Sequence, residues 1–265
     1  MHPLLFISAI EMAHIYIIAA LVVFVVSGVF SMFGKGGGSI YTPVLVWLGF
    51  DIGKAISTAL FLNLITALVA TIVFIRNRLV EWKFCMVFIP GTVVGSLLGA
   101  YLSASSPREL LLGIFGVFLV FAGILMLTTS KGEGGTAQAK QLTLKEVVVV
   151  IAFSFGVGVL SSLIGVGGGL IIFPFLVLYM GYQAQKAAGA NAFIVTISSL
   201  MGTIGHFAIG HADYALLVLA GVASALGSAI GSNVTVKASP KFVKVAFAFI
   251  LWFFAGQIFY GLIAK

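Results

Sequence analysis

The stretch Gly34-Lys35-Gly36-Gly37-Gly38-Ser39-Ile40-Tyr41-Thr42-Pro43 returns in the second half of the chain as Gly165-Val166-Gly167-Gly168-Gly169-Leu170-Ile171-Ile172-Phe173-Pro174. Six of the ten positions agree, and each copy stands between a long apolar run and a short one, 39–50 and 170–181. A glycine costs about 1 kcal/mol per helical position relative to alanine, so a triplet marks a break in a helix. The short runs cover only ~15 to 18 Å as helix, which makes each a half-helix. Hydrocarbon cannot satisfy free backbone groups, so irregular chain survives at depth only when buried in protein or lining a cavity. Close helix packing would explain one triplet. Two copies at matching places point instead to the binding site of a transporter built from repeats.

With 61% hydrophobic residues, 8% charged residues and a mean hydropathy of +1.22 over 265 residues, the chain has too little polar surface for a soluble domain. It reads as an all-α polytopic membrane protein. The net charge of +7 does not indicate a nucleic-acid partner, because the basic residues sit in short turns between apolar runs. The single cysteine, Cys85, excludes an internal disulfide and lies in an apolar run as a core residue. No Lys or Arg precedes the first apolar stretch, so that stretch is expected to remain as a helix rather than be cleaved as a signal.

Long apolar runs at 13–33, 53–75, 84–104 and 108–128 are matched by 147–164, 187–209, 215–235 and 242–263. Each approaches the ~20 residues that one crossing requires. The correspondence continues through Lys54 and Lys186, Glu81-Trp82 and Asp213-Tyr214, Gly95 and Gly227, Gly99 and Gly231, Pro107 and Pro240, and Gly123 and Gly256. Residues 1–128 and 147–265 therefore read as two transmembrane repeats, joined by a polar, cytoplasmic linker at 129–146. Corresponding loops carry opposite charge bias, which places them on opposite sides of the membrane. The expected layout is a pair of inverted repeats of about five segments each. It puts ten of the fourteen Lys and Arg inside (76, 78, 83, 131, 140, 145, 186, 237, 241 and 244), three outside (54, 108 and 265) and Lys35 at the break.

A repeated GxGGGxxxxP motif, four-plus-four long apolar runs and a central polar linker resemble the TauE/SafE sulfite exporter family, also called the toluene-sulfonate uptake permease family. The resemblance covers essentially the whole chain. It implies transport of sulfur-containing anions such as sulfite, thiosulfate or organosulfonates. The chain departs from the family pattern at Lys35, where an apolar or small residue is usual. It departs again at Ala187-Ala188-Gly189-Ala190-Asn191-Ala192, where a Thr-Ser pair is usual; the first copy keeps Ser57-Thr58.

The candidate substrate-binding residues are Lys35, Gly36, Gly37, Gly38, Ser57, Thr58, Gly167, Gly168, Gly169 and Asn191. A cation at an intramembrane break is costly unless it meets an anion, carbonyls or water, and the bland alternative is a lysine snorkelling to the interface. The N–H groups of a restarting helix carry partial positive charge and suit an anion. Ser57, Thr58 and Asn191 supply uncharged donors to an oxyanion or, more plainly, bond between helices. Asn63 and Thr66 follow Ser57 at helical spacing. His206 and His211 are candidate proton relays, with a satisfied or interfacial histidine the simpler reading. Glu81-Trp82 and Asp213-Tyr214 fit an acid at a helix start beside an interfacial aromatic.

These features favour a secondary carrier for a small anion, working by alternating access in a prokaryotic cell (inner) membrane and drawing on a substrate gradient or an H+ or Na+ coupling ion. Neither glycine motif ends in the Gly-Lys-Ser/Thr of a nucleotide-binding loop. The chain also lacks HExxH, GxSxG and an acidic pair inside a span, so an intramembrane enzyme is disfavoured, and no metal or cofactor is expected. A scaffold without a solute path would leave the repeated breaks unexplained.

Overall fold

The computed structural model describes residues 3–50, 52–102, 108–130, 143–164, 169–207 and 214–263. Among them all regular structure is helical: α1 (Pro3–Ser31), α2 (Gly38–Trp47), α3 (Ile52–Arg76), α4 (Trp82–Leu102) and α5 (Arg108–Thr128), then α6 (Leu144–Ile164), α7 (Gly169–Pro174), α8 (Ala184–Phe207), α9 (Tyr214–Lys237) and α10 (Pro240–Ile263). The apolar run of α7 continues into a π-helical turn, Phe175–Tyr179. Both short runs are thus short helices. Four helices among the described residues are long and apolar enough to cross a membrane alone: those containing His14–Ser31, Ser57–Arg76, Leu216–Lys237 and Pro240–Ile263.

The close approaches fix the direction of each helix. The carbonyls of Phe24 and Gly28 in α1 lie where side chains on Gly227 and Gly231 of α9 would stand, and Thr235 Oγ1 donates to Met32 O at 2.7 Å. Residue numbers climb together, so α1 and α9 run parallel. In the same way Gly91 of α4 lies against Ile151 of α6 and Gly95 against Phe155, so α4 and α6 are parallel. Ser224 reaches Leu62 O and Ser228 reaches Thr66 O, which makes α3 and α9 parallel too. In contrast Gly113 faces Leu262, Gly116 faces Phe259 and Gly123 faces Trp252, so α5 and α10 are antiparallel. The helices α3 and α8 cross in opposite senses, joined by Asn63 with Ser199 and Thr71 with Thr196.

Following these directions, one end of the bundle collects the last turns of α3, α5 and α9 and the first turns of α4, α6, α8 and α10. Cross-links at that end agree: Lys186 Nζ lies 2.6 Å from Glu81 Oε1, Gln185 Nε2 donates to Ala238 O at 2.9 Å, and Lys244 Nζ donates to Thr129 O. Arg76, Arg78, Lys83, Lys145, Lys186, Lys237, Lys241 and Lys244 all stand at this end, whereas Lys54 and Arg108 open α3 and α5 at the other. The two ends of the bundle therefore differ sharply in basic charge. Exposed aromatics mark both borders, with Trp82 and Tyr179 at the basic end and Trp47, Tyr214 and Tyr260 opposite. Between them the outer surface is apolar, with Leu21, Val25, Phe121, Val218 and Phe249 exposed as lipid-facing residues.

Because α1 and α3 are both parallel to α9, the chain must return between them, and α2 is the return. At its top, α1 ends in a Schellman cap: Lys35 N–H donates to Phe30 O at 3.2 Å and Gly34 N–H to Ser31 O at 3.0 Å. Gly34 adopts φ +63°, the left-handed conformation such a cap requires. A Cβ there would also collide with the Ala188 carbonyl of α8. Glycine at 34 therefore serves both the turn and the close approach of a second helix.

Candidate functional site

The first break runs from Phe33 to Gly38. Gly36 also has positive φ (+70°), and a Cβ there would overlap the Asn63 carboxamide. Asn63 Oδ1 accepts the Gly38 N–H at 2.9 Å, and Asn63 Nδ2 donates to Ser199 Oγ at 2.5 Å. An asparagine of α3 thus caps the first free N–H of α2 and ties the break to α8.

Lys35 is 4% exposed, so its side chain does not snorkel. It curls over the first turn of α2, donating from Nζ to Ser39 Oγ at 2.7 Å. Nζ also lies 3.9 Å from the centroid of the Phe254 ring and 4.6 Å from that of Phe30. Two aromatic faces and one hydroxyl surround the amine, and among the described residues no carboxylate pairs with it. Ring quadrupoles return roughly 0.5 to 2 kcal/mol each, far below the cost of burying an ion without a counter-charge.

The second break meets the first at Gly169. An added Cβ on Gly169 would lie 2.8 Å from Lys35 Cγ and 3.1 Å from Lys35 Cα. Asn191 of α8 closes the junction, its Nδ2 donating to Phe33 O at 2.8 Å and to Gly169 O at 3.2 Å. One buried carboxamide therefore holds carbonyls of both breaks. The structure brings Lys35, Gly169 and Asn191 together, with Gly36 and Gly38 anchored beside them by Asn63. Gly37 is the N-cap of α2. Gly167 and Gly168 lie outside the described residues.

Ser57 and Thr58 are buried in the early turns of α3, and the Thr58 hydroxyl has no hydrogen-bond partner among the described residues. Thr66 belongs to a buried hydroxyl seam, with Oγ1 2.8 Å from Tyr41 Oη and 2.7 Å from Ser224 Oγ. That seam fastens α2 to α3 and α9. His206 lies in α8 with its side chain outside the description, and His211 and Asp213 lie outside the described residues. Glu81 does precede α4, yet its carboxylate pairs with Lys186 across the bundle. No grouping of three His, Cys, Asp or Glu suited to a metal occurs among the described residues. Ser39, Phe30, Phe254 and Ser199 were not anticipated. Only the placement of Ser39 four residues after Lys35 was readable, as an i,i+4 pair.

A family model described as sulfite exporter TauE/SafE matches residues 19–258. The chain is 26% identical over 253 residues to YunE of Bacillus subtilis, a probable membrane transporter protein, covering 87% of this chain and 92% of that one. It is 24% identical over 245 residues to a probable membrane transporter protein of Methanocaldococcus jannaschii, covering 86% and 89%. YdhB of Bacillus subtilis, also a probable membrane transporter protein, is 26% identical over 239 residues, covering 90% and 97%.

Proposed function

Because the chain belongs to the sulfite exporter TauE/SafE family and is a multi-pass membrane transporter, we propose that it is a secondary carrier of small sulfur-containing anions, such as sulfite, thiosulfate or organosulfonates. The observation that carries this reading is Lys35, a buried amine at the meeting point of both glycine breaks with no acidic partner among the described residues. A buried ammonium without a counter-ion favours an anion arriving from outside. The substrate supplies the missing charge.

The same geometry suits alternating access. The halves are inverted repeats, a reading supported by the parallel run of α1 with α9 and of α4 with α6, which exchanges the helices of one half for those of the other. The oxyanion lies against Lys35, Ser39 and the glycine backbone, with Asn191 holding the two breaks in register. Rocking of the halves about this junction opens it to either side. Energy comes from the substrate gradient or from a coupled H+ or Na+ gradient.

Uptake of radiolabelled sulfite and thiosulfate into proteoliposomes containing only this chain tests the proposal, with sulfate, organosulfonates and a neutral sugar as competitors. Saturable uptake blocked by sulfur-containing anions and not by the sugar is expected. Uptake competed by the neutral solute, or none with any anion under an imposed H+ or Na+ gradient, would end the reading.

A further inference from the structure

Two polar groups at the junction of the breaks have opposite needs. Lys35 brings a donor and a positive charge, whereas Asn191 Oδ1 is a fully buried acceptor with no hydrogen-bond partner among the described residues. The orientation of the Asn191 carboxamide follows from its neighbours: Phe33 O and Gly169 O are both acceptors, so the NH2 group must face them. The oxygen is then left over. Lys35 does not satisfy it, since its Nζ is directed to Ser39 and the two aromatic rings. Both residues nevertheless lean on Gly169, which packs against Lys35 Cγ and offers its carbonyl to Asn191.

An orphaned buried acceptor is costly, and it repels a bare oxyanion while attracting a ligand that brings its own hydrogen. We propose that Asn191 Oδ1 makes the site selective for a monoanion carrying an O–H or N–H donor, with the anionic oxygens held by Lys35 and the donor satisfying Asn191. This rests on the carrier reading above and narrows it to hydrogen-bearing anions. The same logic lets a site built to bond a donor reject an analogue lacking it.

Sulfamate and methanesulfonate provide a matched test. Both are singly charged and similar in shape, and they differ by an NH2 in place of a CH3. Calorimetric titration of each into the purified full chain should give a sulfamate Kd roughly 5-fold to 150-fold lower, the range for satisfying one buried polar group. In Asn191→Leu the ratio should fall to about one, whatever happens to the absolute affinities. Should Asn191→Leu fail to give monodisperse protein, the wild-type ratio already decides. Equal Kd values in the wild type, or tighter methanesulfonate, would overturn this inference alone. Binding of neither anion would overturn it together with the carrier reading.

Discussion

At the scale of single residues, the charge of Lys35 should matter more than its bulk. Lys35→Met keeps most of the apolar stem that packs on Gly169 but removes the ammonium held between Phe30 and Phe254. Anion affinity of the purified variant is expected to fall by about 1 to 3 kcal/mol, a 5-fold to 150-fold rise in Kd, with Lys35→Arg retaining more of the binding. Unchanged affinity in Lys35→Met would remove Lys35 from the set of substrate ligands. Lys35 was legible in the sequence because a cation inside a glycine break is conspicuous against an apolar chain. Its surroundings were not. Phe30, Phe254 and Ser199 are ordinary membrane-helix residues, and only the crossing of distant helices assigns them to this junction. Asn191 stood out as a polar residue in an apolar run, but that both its N–H groups hold backbone carbonyls depends on tertiary geometry.

At the scale of elements, some glycines sit against the backbone of a neighbouring helix while others face open space. Gly231 lies so close to the Gly28 carbonyl of α1 that no side chain fits, whereas a Cβ on Gly256 of α10 meets nothing within 4 Å. Gly231→Val should lower stability by about 1 to 3 kcal/mol or more, because helix backbones yield less than side chains do. Gly256→Ala should be neutral or stabilise by up to about 1 kcal/mol through helix propensity. Thermal unfolding of the detergent-solubilised variants measures both, and equal melting temperatures would mean that α1 and α9 have room to separate. The sequence announced the short helices α2 and α7 through length and glycine content. It did not announce the π-helical turn at Phe175–Tyr179, where rings of Phe153, Phe175 and Tyr179 stack in series. Nothing in a local apolar pattern separates a π-turn from an α-turn.

At the scale of the whole molecule, the bundle has a basic end and an opposite end, and the topology can be read by cysteine labelling. With Cys85 replaced, cysteines at Arg78, Lys237 and Gly134 should react with an impermeant maleimide only from the cytoplasmic side, and one at Lys54 only from outside. Labelling of Arg78 and Lys237 from opposite sides would contradict the helix directions described above. The gathering of basic residues at one end is legible in the sequence, since basic loops are a local feature. The pairing of Glu81 with Lys186 was hidden although both residues stood in the repeat correspondence, because the ion pair joins positions 105 residues apart.

The parallel contacts of α1 with α9 and of α4 with α6 also bear on how such a chain is made. Each of those pairs takes one helix from the early half and one from the late half. When α1 enters the membrane, the backbone against which Phe24 and Gly28 will rest has not been synthesised, and that face lacks its partner until α9 arrives. The break at Lys35 waits in the same way, because Asn191 and Phe254 come late in translation. Assembly of the junction between the two breaks is consequently a terminal event of biogenesis. A nascent chain arrested before α8 would expose a buried lysine and unfinished backbone to the bilayer, features that membrane quality control can recognise.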